Sequence, residues 1–536
     1  MKKLLLLTVL LISSISFAQE DAWVYFNSKP SAATYLANPL TMLTQRALDR
    51  RSAQGIALDF TDVPIEQSYI DQVTAASGIQ VMAKSKWLNC LHIRGEVTDI
   101  NALSAFTFVD HIRFADASLN SKHSNIKSFK PVNKQLDVQV NYNYGGSANQ
   151  VQMLKVDWLH QQNYIGTGKI IAVLDAGFPG VDTAQPFQQL QNNNAILGGY
   201  DYVNRDANFY TGFSHGTMVL STMGGYVDGQ LVGTAPNAQY YLFITEDVNS
   251  ENPVEESNWV EAAEEADRLG VDIITSSLGY FAFDNPNYGH TYEDMTGNTA
   301  FASQGANIAF TKGIVVVASA GNAGQTDEPH VGVPAEANNV LAIGAVQFNR
   351  SYASFSSIGP SFDGRIKPDV MAQGLNATLS TPNGMITQNS GTSFSGPIIA
   401  GSIASFWQAV PNLTNQQVVN FVKQSSDRYT NPDNQYGYGI PNFQLAYNTA
   451  MLDVFTTSKS RFLIYPNPSN DAVTVSFPNG IEDVEMTLYT ALGQMVLKEN
   501  ISQSVSKLSL EGLNKGVYLY KIESASFSQS GKIIKE

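Results

Sequence analysis

One cysteine, Cys90, stands in a chain of 536 residues. A lone thiol excludes an internal disulfide framework and any thiolate-rich metal centre. Basic residues are scarce as well: 32 Lys and Arg against 47 Asp and Glu leave a formal charge of −15. No Lys/Arg cluster offers the phosphate-binding surface that a nucleic-acid partner requires. Beyond the N-terminal run there is no window of about 18 uninterrupted apolar residues, so no transmembrane helix is expected. Internal repeats and low-complexity tracts are also missing. What is present is the composition of a folded soluble protein, 43% hydrophobic and 15% charged, over a length that allows roughly three or four domains.

The N-terminus reads "MKKLLLLTVLLISSISFAQE": Lys2 and Lys3, an apolar run from Leu4 to Ile12, then Ser16 and Ala18 ahead of a cut before Gln19. This is the pattern of a secretory signal peptide, residues 1–18, and places the mature chain outside the cytoplasm. Residues 19–125 alternate strand-like runs ("AWVYFN", "WLNCLHIRG", "FVDHIRFA") with helical stretches ("NPLTMLTQRALDRRSAQG", "EQSYIDQVTAASG"), the order of a small α+β domain. A polar stretch containing Pro131 follows, expected as an exposed linker and processing region over 126–150. Residues 151–451 carry continuous β-branched runs ("KIIAVLDAG", "YYLFITE", "VDIITSSLG", "GIVVVASAGN", "VLAIGAV") between helical segments. Such runs are strands of a mostly parallel sheet covered by helices on both faces, a doubly wound α/β domain. After a linker at 452–461, residues 462–536 alternate in short strands with Asn, Gly and Pro turns, as a small antiparallel β-sandwich does.

Reactive side chains fall where open α/β sheets build their sites, at strand C-termini and helix N-termini. Asp175 ends the buried run "IIAVLD", His215 heads an apolar helical run, and Ser393 follows Gly391-Thr392 at the start of another. Taken alone, each has a plain structural reading: a turn cap for Asp175, an ordinary histidine for His215, a helix cap for Ser393. Together they form the set that nucleophilic serine catalysis requires: a hydroxyl, a base to take its proton and a carboxylate to orient that base. Gly216 beside His215 permits close approach of another backbone. "SAGN" adds an amide, Asn322, suited to stabilising an oxyanion. The esterase elbow "GxSxG" is absent at this serine, which reads Gly391-Thr-Ser393-Phe-Ser395-Gly396.

Seven stretches in order, "VLDAG" (173–177), "HGT" (215–217), "SSLG" (276–279), "ASAGN" (318–322), "YASFSSIGP" (352–360), "KPDVMAQG" (367–374) and "GTSFSGP" (391–397), make this region similar to the subtilisin family of serine proteases. The resemblance implies a subtilisin-like fold and a serine endopeptidase acting on proteins or peptides. Ser393 would be the nucleophile, His215 general base and then acid, Asp175 its orienting carboxylate, and Asn322 an oxyanion donor. It also implies substrate contact along Ser277, Leu278 and Gly279 and along Ala318, Ser319, Ala320 and Gly321, where an extended peptide adds as a strand. Ala176 departs from the family's usual Ser or Thr beside the Asp, Gln373 from its usual Pro, and Tyr280 from a second Gly; a Tyr there is expected to narrow the substrate groove. The chemistry needs no cofactor. The oxygen-rich stretch 283–301 is expected as a solvated rim of the groove, with a structural calcium left unassigned.

By the same route, 19–125 resembles a subtilase prodomain that chaperones folding and inhibits the site until removed; a permanent accessory domain is the alternative. The tail, with "YPNPSND", "LYTALGQMV", "LNKGVYLYKI" and "GKIIKE", resembles the sorting domain of Bacteroidetes type IX secretion cargo. That implies contact with the secretion machinery and a location outside, or on the outer membrane of, a Gram-negative cell; a carbohydrate-binding or adhesive sandwich is the alternative. A monomer is expected. The competing function is a surface binding protein that keeps the protease fold without turnover.

Overall fold

The computed structural model describes residues 19–120, 142–459, 462–477, 481–502, 506–524 and 527–536. The expected signal peptide and positions 126–141 of the expected processing region lie outside the described residues. Contacts divide the chain into two units, Met1–Tyr447 and Asn448–Glu536.

The first unit opens with β1 (Glu20–Phe26), α1 (Ala32–Ala37), α2 (Gln45–Ala53), α3 (Gln67–Thr74), β2 (Gln80–Ser85), β3 (Cys90–Gly95), α4 (Val97–Ala102) and β4 (Val109–Phe114). The strands form an antiparallel sheet in the order β2-β3-β1-β4. Alternate residues of β1 and β3, Ala22, Val24, Leu91 and Ile93, pack with Val73 of α3 and Ile100 of α4. From the sheet's other side Trp23 reaches out to later parts of the unit.

The larger part runs α5 (Ala148–Gln152), α6 (Val156–Gln161), β5 (Ile170–Asp175), α7 (Gln188–Asn192), β6 (Ile196–Asp201), α8 (His215–Gly224), the hairpin β7 (Tyr226–Val227) and β8 (Leu231–Val232), then β9 (Gln239–Ile244). It continues through α9 (Val254–Leu269), β10 (Ile273–Ser276), α10 (Phe301–Thr311), β11 (Val315–Ser319), β12 (Val340–Val346) and β13 (Val370–Gln373). The hairpin β14 (Ala377–Ser380) and β15 (Ile386–Asn389) precedes α11 (Thr392–Ala409), α12 (Asn415–Gln424) and α13 (Phe443–Lys459). Seven strands form one sheet in the order β13-β12-β11-β10-β5-β9-β6, and every pairing in it is parallel. Ile170, Ala172, Leu174, Ile274, Val316 and Ala318 share a core with Trp259 and Ala263 of α9 and Ala302 and Ala306 of α10. Their alternates in β5, β10 and β11 face the other side of the sheet, where α8 and α11 pack. Burial on both faces is why these strands read as unbroken apolar runs.

The N-terminal sheet docks on α9 and α10. Trp23 stacks on Phe301 with ring centroids 5.0 Å apart and donates its indole N–H to Ser257 Oγ at 2.8 Å. Glu264 accepts from Ser85 Oγ, Lys86 N and Trp87 N at 2.6, 3.0 and 2.9 Å.

Two expected boundaries shift. The packed structure starts before residue 151: Tyr144, Ser147 and Gln150 are buried. The Tyr144 hydroxyl meets His160 Nδ1 at 2.8 Å, and Gln150 exchanges two hydrogen bonds with the Thr378 backbone. The linker expected at 452–461 is helical through Lys459, because no Gly or Pro interrupts the chain between Phe443 and that residue.

The second unit holds β16 (Leu463–Tyr465), β17 (Ala472–Ser476), β18 (Asp483–Thr490), β19 (Met495–Ser502), β20 (Lys507–Ser509), β21 (Gly516–Ser524) and β22 (Phe527–Lys535). They make two antiparallel sheets, β16-β17-β20 and β19-β18-β21-β22, around one core that includes Val473, Val475, Met486, Leu488 and Ile522.

Candidate active site

Asp175 is the last residue of β5, fully buried, and His215 is the first residue of α8. The two segments touch because Gly216 has no side chain: a Cβ there would lie 2.5 Å from Gly177 O and 2.9 Å from Asp175 Cβ. The result is a hydrogen bond of 2.8 Å between His215 Nδ1 and Asp175 Oδ1. Oδ1 also accepts the Ala176 N–H at 2.8 Å, whereas Oδ2 is buried with no hydrogen-bond partner among the described residues. Ala176, the departure seen in the sequence, brings no hydroxyl to that oxygen. The bond orients the imidazole and leaves Nε2 as the nitrogen available for proton transfer. Burial alone would push the His215 pKa down, but the Asp175 carboxylate outweighs it and holds the group above its ordinary 6.5.

Ser393 is the second residue of α11, and the ring of its neighbour Phe394 lies 6.0 Å from the His215 ring. Pro397 sits inside this helix and lacks the N–H that would bond the Ser393 carbonyl. Ser277 supplies the replacement, its hydroxyl donating to Ser393 O at 2.9 Å, while Ser319 Oγ donates to Thr392 O at 2.7 Å. The two serines after β10 and at the end of β11 thus pin the start of α11. The Ser393 hydroxyl lies 3.5 Å from Ser277 O.

Asn322 turns its Oδ1 toward Thr392, accepting from N at 2.9 Å and Oγ1 at 3.1 Å. Its Nδ2 therefore points away from Thr392. Gly391 precedes the helix with φ 156° and ψ 152°, a region essentially confined to glycine. A methyl on Gly391 would lie 3.7 Å from both Asn322 Nδ2 and Ser393 N. The side-chain amide and the Ser393 N–H at the start of the helix converge on one small space, which suits an oxyanion.

Among the residues expected to line the substrate path, Gly279 is exposed and Leu278 half-buried just beyond β10. Ser277 and Ser319 are buried and spend their hydroxyls on α11. Ala318 and Ala320 are sealed in the core, and the Gly321 N–H and carbonyl are already bonded to Thr392 Oγ1 and Ser357 N. The β11 end is thus a wall more than a hydrogen-bonding edge.

Two expectations are corrected. Tyr280 does not narrow the groove: it is 1% exposed and donates its hydroxyl to Glu246 at 2.6 Å, because its ring belongs to the core under α9. Nor is 283–301 a solvated rim. Phe283, Tyr288 and Met295 are buried, the Tyr288 hydroxyl bonds Glu20 and Asp21 N, and Thr299 O accepts from Arg113, so the stretch seats the N-terminal sheet. Among the described residues, the carboxylates close enough to share a cation are Glu246, Glu251 and Glu255, which lie outside 283–301.

Comparison with known proteins agrees with this architecture. The subtilase family model matches residues 166–439, about half of the chain. Subtilisin DY of Bacillus licheniformis is 30% identical over 300 residues, covering 55% of this chain and 97% of that protein. Subtilisin E of Bacillus subtilis (strain 168) is 31% identical over 300 residues, 55% of this chain and 70% of its own length. The chain belongs to the subtilase family and is a subtilisin-type serine peptidase. The family model of the peptidase S8 propeptide domain of Bacteroidota matches residues 21–131, and that of the secretion system C-terminal sorting domain matches 463–536. The protein is therefore a secreted peptidase that carries a propeptide and a sorting tail.

Proposed function

We propose that the protein is an endopeptidase that cleaves proteins through an acyl-enzyme on Ser393. His215 takes the hydroxyl proton as Ser393 attacks the peptide carbonyl, and Asp175 holds the imidazole in the required tautomer. The resulting oxyanion is stabilised by Asn322 Nδ2 and Ser393 N–H. His215 then protonates the leaving amine, and water repeats the sequence to release the acid. The substrate lies extended beside Leu278 and Gly279. No cofactor enters this chemistry. The observation that carries the reading is the 2.8 Å bond between Asp175 and His215, set beside the start of a helix where Ser393 and Asn322 meet.

The propeptide inhibits until it is cut away, and the sorting tail is removed or anchored on export, leaving a monomeric enzyme at the cell surface or free. A mature N-terminus between about Ser121 and Ala148 is expected when the extracellular form is sequenced and weighed, and the burial of Tyr144 and Ser147 supports a cut ahead of them. A product that keeps Ala22 covalently counts against the propeptide's removal. For the chemistry, casein hydrolysis by wild type and by Ser393→Ala is the comparison: hydrolysis by a correctly processed wild type, lost in the variant, is expected. An inactive wild type favours a binding protein on the same fold.

A base works in its neutral form, so kcat/KM should rise with pH through a value above 6.5. Asp175→Asn removes the charge that raises the His215 pKa and should move that limb to lower pH. A limb that stays in place contradicts the assignment.

A further inference from the structure

The strand ends beside Asp175 hold a carboxylate that the chemistry above does not use. β9 pairs with β5, and just past its end Thr245 N–H donates to Asp175 O at 3.0 Å, so Glu246 follows directly beyond the level of Asp175. β10 flanks β5 on the other side, and from the turn after it Tyr280 donates its hydroxyl to Glu246 Oε1 at 2.6 Å. Glu246 is thus tethered between Asp175 and the edge formed by Leu278 and Gly279.

This carboxylate borders a cavity of about 270 Å³. Its lining includes Ala176, Phe213 and Val248 and the acids Asp201, Glu246 and Asp247, and no Lys, Arg or His. Ala176 adjoins Asp175, and Phe213 is separated from His215 only by Ser214, so the cavity lies beside the Asp175–His215 pair. Phe213 and Val248 are 52% and 55% exposed, apolar side chains that join no core.

Two of the three acids are already engaged. Asp201 accepts from Val203 N, Asn204 N and Asn204 Nδ2, each at 2.8 Å. Asp247 accepts from Asn249 N and Nδ2 at 3.0 and 2.8 Å and from Ser250 Oγ at 3.3 Å. Glu246 is half-buried and has Tyr280 on Oε1, while Oε2 has no hydrogen-bond partner among the described residues. Carboxylate oxygens of Glu251 and Glu255 come within 4.8 Å of it, and Glu255 is held there by Asp247 N and Asn252 N at 2.9 and 3.0 Å. Burial and the charge of Glu255 push the Glu246 pKa well above its ordinary value against the opposing Tyr280 bond, and Glu251 and Asp175 add to the rise. A cation brought to Oε2 offsets that like-charge penalty.

We propose that Glu246 is a specificity-determining residue: the cavity takes a Lys or Arg side chain of the substrate close to the scissile bond, its aliphatic stem against Phe213 and Val248 and its charged head on Glu246 Oε2. The apolar walls favour such a side chain over a metal ion, which needs oxygen ligands all round. The peptidase reading enters only through where the substrate lies.

The test uses the extracellular enzyme and fluorogenic peptides carrying Lys, Arg, norleucine, Ala or Glu at each position flanking the cleaved bond. At one position Lys and Arg should exceed norleucine by at least about tenfold in kcat/KM. Glu246→Gln, which keeps an acceptor for Tyr280, should bring that ratio below about threefold, and Asp247→Asn should leave it within about twofold. A wild type without a basic preference at any position overturns the proposal, as does a preference that survives Glu246→Gln or is abolished by Asp247→Asn. A melting temperature raised by calcium in wild type but not in Glu246→Gln, with no basic preference, also overturns it and assigns the carboxylate to a metal ion. If Glu246→Gln does not fold, the wild type still decides: the Lys to norleucine ratio, from which the shared His215 ionisation cancels, should grow as the pH rises and Glu246 ionises, and a flat ratio overturns the proposal. Binding of the same peptides with the scissile amide N-methylated reads the preference without turnover. An inactive enzyme that still selects Lys then fails the catalytic reading alone, and an active one without selection fails this proposal alone.

Discussion

Replacing His215 by alanine is expected to lower kcat by about 10⁶-fold and to leave KM nearly unchanged, as when the base of an acting triad is removed. The imidazole meets Asp175 Oδ1 at 2.8 Å and lies 6.0 Å from the ring of Phe394. Its side chain is 22% exposed, so truncation opens no large cavity and the melting temperature should fall only slightly. In the proposed mechanism, what is lost is the group that removes the Ser393 proton and returns it to the leaving amine, an interaction made only as the reaction proceeds. Steady-state hydrolysis of a peptide amide, with a melting curve on the same sample, checks this. A loss smaller than about a hundredfold would assign the base elsewhere.

Asn322→Ala should lower kcat by about 10²–10³-fold with little change in KM. The direction of the amide decides this. Thr392 N and Oγ1 both donate to Oδ1, so Nδ2 is left facing the space beside Gly391 and Ser393 N. A donor placed where charge develops contributes to the transition state and little to the bound substrate. Asn322→Asp retains the acceptor for Thr392 but removes the donor, and should lose as much. A raised KM at constant kcat would make Asn322 a substrate-binding residue instead.

Much of the peptidase domain was legible because its inner strands are buried on both faces: β5, β9, β10, β11 and β12 stand out as apolar runs. The edge strand β6 escaped detection, since Gly198 and Gly199 interrupt it and most of it is only half-buried. The candidate catalytic residues were legible one by one, as strand and helix ends, but not the way they are supported. Nothing in the local sequence shows that Ser277 and Ser319 hold α11 where Pro397 frees a carbonyl, across 116 residues in the case of Ser277. Tyr280 and the 283–301 stretch were misplaced for a related reason. Polar and aromatic residues near a site suggest exposure, whereas here they find partners in the core and the propeptide. In the same way, α2 was readable as a helical stretch while its partner Asp267, 217 residues from Arg50, was not.

The most direct test of the central claim is the position of a fluorophosphonate adduct on the mature enzyme, mapped by peptide mass spectrometry. A single adduct on Ser393, absent from Ser393→Ala together with hydrolysis, is the predicted result. An adduct on another serine, or hydrolysis that survives Ser393→Ala, contradicts it.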